Sequence, residues 1–171
     1  IQLLDTEENF PSWKETRYKK LLDGLKIQST EDFDMLYYID LSYLFFFRTI
    51  PIQKEALDDG LSGYFERAEN KADILRMLHR CLAKQTISIA LRRFDIIEFP
   101  PTIRSLFDDS KASRSGKDEQ ERMLALAASL ANDVKQDIAN IDLLLTSDAS
   151  GSVDTNTSFN RPDDLILLMP C

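Results

Sequence analysis

The sequence predicts an all-α protein, an irregular helical bundle of five or six helices with a disordered C-terminal tail. Three observations carry that prediction. Leu124, Ala127, Ala131, Val134, Ile138, Ile141 and Leu145 follow one another at alternating spacings of three and four. That is the a/d repeat with which one helix offers a narrow apolar seam to another. Hydroxyl and acidic residues recur just ahead of apolar stripes, where helix starts need acceptors for free amides. Glycine and proline are few, five and six in 171 residues, and most fall in connections.

Taken in order, Ser12-x-x-Glu15 reads as a capping box after Pro11. Tyr18, Leu21, Leu22 and Leu25 then form a stripe that ends near Gly24. A second start lies at Ser29 or Thr30, with Glu31, Asp32 and Asp34 suited to the positive end of a helix. Phe33, Tyr37, Tyr38, Tyr43, Phe45, Phe46 and Phe47 crowd into the stretch that follows. Its polar residues keep no common face, so a helix over 33–47 is expected at the centre of the bundle. Pro51 should end it.

A third helix is expected from about Gln53 to Ala68, with Leu57, Leu61, Tyr64, Phe65 and Ala68 inward. Gly60 and Gly63 should weaken it or permit close packing. Asn70 reads as the next N-cap, opening a long helix through Leu75, Leu78, Leu82 and Ile89 to about Phe94. Thr86 to Ile89 has some strand character, so a break could fall there. Pro100-Pro101 stops that element, and 102–107 adds a short turn. The polar, small stretch 108–117 is expected to be a flexible loop. The seam helix then runs from about 118 to 146. Residues 1–146 thus form a single helical domain, 147–164 a disordered linker and 165–171 an apolar docking segment.

Composition bounds the function. A net charge of −8 argues against nucleic acid and anionic membranes as general partners. The apolar run 41–47 is too short to span a bilayer. Cys81 and Cys171 form no disulfide framework, and no secretory signal opens the chain, so an intracellular home in cytoplasm or nucleus is expected. The chain begins at Ile1 rather than Met and reads as a subunit or excised domain of a larger assembly.

No catalytic signature stands out. His79 and Cys81 would sit on opposite sides of a helix, and no metal-ligand spacing exists, so neither metal nor cofactor is expected. The acidic pairs Asp58-Asp59, Asp108-Asp109 and Asp163-Asp164 read as solvated surface. Asp40 shares a stripe with Phe33, Leu36, Leu44 and Phe47, so partial burial and a raised pKa are expected there. An enzyme would build on that buried carboxylate.

The long helix departs from the acidic balance. Arg76, Arg80 and Lys84 recur every four residues as one basic ridge. It either grips phosphates or an acidic partner, or faces acids within the fold such as Asp58, Asp59 and Glu66. In the tail, Asp163-Asp164-Leu165-Ile166-Leu167-Leu168 fits an acidic dileucine pattern, and docking by Leu165, Leu167 and Leu168 is expected.

Near the start, Leu4 through Leu25 carry Glu8-Asn9-Phe10-Pro11-Ser12-Trp13-Lys14 before a leucine-rich helix. This opening resembles that of Gag polyproteins from copia-type retrotransposons. The resemblance ends there, because no Cys/His zinc knuckle follows and the aromatic second helix has no counterpart. It implies an alternative, a capsid-like self-assembling helical domain. The leading expectation is a non-catalytic protein-protein interaction, scaffold or regulatory module. Its partners would be other proteins, with a homo-oligomer through the 124–145 helix as a further possibility.

Overall fold

A computed structural model describes residues 14–107 and 116–149 of the chain. Every described element is helical. The elements are α1 (Arg17–Asp23), α2 (Thr30–Leu36), α3 (Tyr43–Ala56), a π turn (Leu57–Leu61), α4 (Ser62–Arg67), α5 (Ala72–Arg93), a 3-10 turn (Ile96–Glu98), α6 (Pro101–Arg104) and α7 (Gly116–Ala149). Counting α3, the π turn and α4 as one kinked helix leaves six among the described residues. The all-α reading holds. The tail and the 108–115 part of the loop lie outside the described residues, as does Ser12 of the expected capping box.

Several starts follow from hydroxyl caps. The Thr16 side chain accepts from the Lys19 amide ahead of α1, and Gly24 closes that helix. Ser29 accepts from the Asp32 amide at the head of α2, and Ser42 from the Phe45 amide at the head of α3. Each satisfies an amide that the helix itself leaves free. Lys71, not Asn70, occupies the N-cap of α5, and it makes no side-chain cap bond.

The expected single helix over 33–47 is instead two helices with a corner between them. The Asp34 carboxylate accepts from the amides of Ile39 (3.1 Å) and Leu41 (2.9 Å), holding the turn that reverses the chain. Asp40 takes a left-handed φ of 54°, a conformation that Asp tolerates better than most residues. Asp40 is therefore exposed in a turn, and the burial expected for it is absent. Phe33, Ile39, Leu41, Phe45 and Phe46 all point into the core, but from three different segments.

Pro51 does not stop the chain either. It lies inside α3, on the exposed side, so only the bond from residue 51 to the Phe47 carbonyl is forfeited. Just beyond, the π turn carries Gly60 at φ 132°, which explains that glycine better than close packing. No atom lies within 4 Å of where a Cβ would sit at Gly60 or Gly63.

The centre of the bundle is α5. Residues 86–91 are buried on every side, and Ile74, Leu78, Cys81, Leu82 and Ala83 extend the buried face toward its N-terminus. The strand-like Thr86 to Ile89 do not break it. Thr86 Oγ1 donates to the Leu82 carbonyl within the helix (2.7 Å), and Ser88 Oγ donates to the Ala127 carbonyl of α7 (2.7 Å).

α7 lies antiparallel along α5, with the seam facing inward as expected of an intramolecular contact. Met123, Ala127, Leu130, Val134, Ile141 and Leu145 are buried, and Ile138 packs partly against them. Leu124 is a correction, since it faces solvent and Met123 takes its place. A straight helix drifts about 20° per heptad from a strict a/d repeat, which shifts the first turn by one residue.

Among the described residues, the buried Gln53 side chain lacks a full set of partners. Gln53 Nε2 reaches Thr49 Oγ1 (3.3 Å), but Gln53 Oε1 has no hydrogen-bond partner. Replacing it with an apolar side chain of like volume removes an uncompensated desolvation cost. Gln53→Met should leave stability unchanged or raise it by about 1 kcal/mol, read from urea unfolding. A substantial loss would show that the amide is satisfied. Ile141 is fully buried in the seam, so Ile141→Ala should cost about 2–5 kcal/mol in the same measurement. An unchanged midpoint would mean that α7 does not pack on α5.

Candidate functional site

The basic ridge is divided by the fold. Arg76 and Arg80 are exposed on α5. Lys84 is not free: its Nζ lies 2.9 Å from Asp137 Oδ2 and 3.9 Å from Asp133 Oδ2, both on α7. The acids that meet it are therefore not Asp58, Asp59 or Glu66. Asp58 pairs with Lys54 at 2.6 Å instead. Sequence alone could not pair Lys84 with residues about fifty positions away. The signal available was that Asp133 and Asp137 stand four apart, beside the apolar seam.

A small polar cluster forms where α2, α5 and α7 meet. Cys81 Sγ sits 4.0 Å from Asp137 Oδ2. Burial, followed by the Asp137 charge, pushes the Cys81 thiol up to about 11. Burial likewise raises the Tyr37 phenol, with Lys84 opposing and Asp133 adding to the rise. A buried, protonated thiol is a poor nucleophile. His79 is occupied elsewhere, its Nδ1 lying 2.6 Å from the Leu75 carbonyl and its ring meeting Phe65 edge-on at 5.1 Å. Among the described residues, no group of three or more His, Cys, Asp or Glu could hold a metal ion. No described helix is long and apolar enough to cross a membrane.

The most unusual surface is the corner between α2 and α3. Met35, Tyr38, Tyr43 and Leu44 are 85%, 74%, 69% and 73% exposed. Single exposed apolar side chains are ordinary, but four within residues 35–44 are not. Their grouping has a structural cause. The Tyr43 hydroxyl donates to Glu31 Oε1 (3.3 Å), joining the start of α3 to the first turn of α2. Glu31 and Met35 are one helical turn apart and share that side. Tyr38 lies in the Asp34 turn that joins the two helices. Glu31 is kept below the usual carboxylate range by its backbone amide bond and then by the Thr30 hydroxyl, so it stays ionised.

The corner is braced from behind. Phe45 packs against Phe99 (5.0 Å between centroids) and edge-on to Phe94 (6.0 Å). The Thr102 hydroxyl donates to the Ile39 carbonyl. Arg48 pairs with Glu98 and lies 4.8 Å above the Phe94 ring. The exposed side chains thus stand on a rigid base. Sequence reasoning assigned these aromatics to a buried helix and missed the surface. Leu165, Leu167 and Leu168 lie outside the described residues.

Comparison with known proteins finds no match among family models, curated proteins or solved structures.

Two outcomes test the polar cluster. Lys84→Met leaves the partly exposed Asp133 and Asp137 without their cation and should cost about 1 kcal/mol, whereas Arg76→Glu should stay within about 0.5 kcal/mol of the parent. Equal effects in denaturant titrations would contradict the division of the ridge. The second outcome concerns pH. The folded thiol of Cys81 binds its proton more tightly than the unfolded one, so its contribution is complete below about pH 8.5. It is lost as pH rises toward about 11. Stability should therefore fall more steeply between those values in the parent than in Cys81→Ala. Parallel slopes would show that the thiol is not shifted.

Proposed function

We propose that the protein is a non-catalytic recognition module that binds another protein through the α2–α3 corner. The observation that carries the reading is the exposure of Met35, Tyr38, Tyr43 and Leu44 on a braced turn. Tyrosine and methionine are enriched at protein interfaces because they offer large contact area with some adaptability. Leaving such side chains in water forfeits about 1.5–3 kcal/mol each that burial against a partner would recover. Arg76 and Arg80 offer a second, charged contact on α5.

The test is affinity capture from native extract with three versions of the 171-residue chain: the parent, Met35→Ser/Leu44→Ser, and Asp59→Asn as a distant control. The reading expects a set of proteins held by the parent and the control and depleted with the double variant. Identical sets from all three would overturn it.

A further inference from the structure

The charge carried by the corner segment itself is one-signed. Between Lys26 and Arg48 the chain carries Glu31, Asp32, Asp34 and Asp40 and no Lys, Arg or His. Asp40 is exposed beside Tyr38, and Glu31 lies under the Tyr43 hydroxyl. Asp34 is spent on the amides of Ile39 and Leu41. Two cations on the helices behind the corner are engaged elsewhere: Lys84 with Asp137, and Arg48 with Glu98 and the Phe94 ring. An apolar patch rimmed by unneutralised carboxylates attracts apolar groups carried with positive charge and repels the same groups carried with negative charge.

We propose that the α2–α3 corner binds a cationic amphipathic segment of a partner protein, apolar on one side and rich in lysine or arginine on the other. This rests on the reading of the corner as an interaction surface and adds the chemistry of its occupant. Two other occupants fit less well. The chain's own apolar run 165–169 follows Asp148, Asp154, Asp163 and Asp164, with Arg161 as the one cation after Lys135. A second copy would bring the same acidic corner and a net charge of −8. Both would meet like charge. Aliphatic side chains from the partner would cover Met35, Tyr38 and Leu44, and its cations would reach Glu31 and Asp40. Cations over the exposed Tyr38 and Tyr43 rings add further attraction.

The experiment is fluorescence anisotropy of the full chain with two synthetic helical peptides of about 18 residues. Both place leucine at helical spacing; one carries lysine elsewhere and the other glutamate. The lysine peptide should bind at least about tenfold tighter than the glutamate peptide, and more weakly as salt rises above about 0.15 M. Tyr38→Ser/Leu44→Ser should weaken the lysine peptide by about tenfold or more. Glu31→Gln/Asp40→Asn, which keeps side-chain size and suits the left-handed residue, should weaken it roughly threefold to tenfold. Asp58→Asn/Asp59→Asn removes as much charge from the π turn and should change nothing, which separates the corner from general attraction to an acidic protein. Equal binding of the two peptides, or indifference to both corner variants, overturns the proposal. So does a gain in peptide affinity in Leu165→Ser/Leu168→Ser, which would make the chain's own tail the occupant. Concentration-dependent association of the parent that Tyr38→Ser/Leu44→Ser abolishes would make it a second copy, and overturns the proposal equally. If the corner variants lose captured proteins from extract while the peptides show no preference of sign, the interaction reading stands and this inference alone falls.

Discussion

The antiparallel contact between α5 and α7 is the interaction on which the other elements depend. α5 is buried all round from Thr86 to Leu91, so it cannot exist as a helix in water without neighbours on every side. α7 covers one side with Met123, Ala127, Leu130 and Val134, and α3 covers another with Phe45, Phe46 and Ile50. The approach is close because Ala127 and Ser88 are small, and Ser88 converts that closeness into a hydrogen bond to the Ala127 carbonyl. Ionic contacts mark the margins. Lys84 meets Asp137 from α7, and Arg93 meets both oxygens of Glu55 from α3 at 2.6 and 2.7 Å. The Glu55–Arg93 pair is well exposed, so it aids register more than stability.

That arrangement explains where apolar surface is left over. Helices that flank α5 need only one apolar face each. The stretch 33–47 has more apolar side chains than one helix face can bury. The Asp34 turn splits it, sends Phe33, Ile39, Leu41, Phe45 and Phe46 inward and leaves Met35, Tyr38, Tyr43 and Leu44 outside. Such a surface has an energetic cost in the free protein, which is why it draws a functional reading.

Much of the architecture was legible from the sequence. The α7 seam could be seen in its repeat, because alternating spacings of three and four survive whatever the helix packs against. The Ser29 cap was also visible, since it rests on local hydrogen bonding. Pro100-Pro101, expected to stop α5, instead opens α6, because α5 already ends at Arg93. What was not legible depended on distant residues. A side chain-to-backbone turn such as that of Asp34 leaves no periodic trace, so the 33–47 stretch read as one buried helix. Pro51 read as a terminator because sequence does not show that its missing amide lies on the open side of α3. The central role of α5 was hidden by its own arginines, which line one open stripe while the rest of the helix is enclosed. The same limit applied to the site. Arg76, Arg80 and Lys84 looked equivalent as a ridge, and only the proximity of Asp133 and Asp137 separates Lys84 from the other two.

Native-state hydrogen exchange, followed amide by amide with increasing denaturant, tests the central place of the α5–α7 contact most directly. Amides of residues 78–91 and 127–141 should exchange together, only through global unfolding, and with the largest free energy in the chain. Those of α1 and α6 should open at lower cost. Exchange of 127–141 through a separate, lower-energy opening, with 78–91 still protected, would contradict the account, because the helix taken as the essential cover of α5 would then be dispensable.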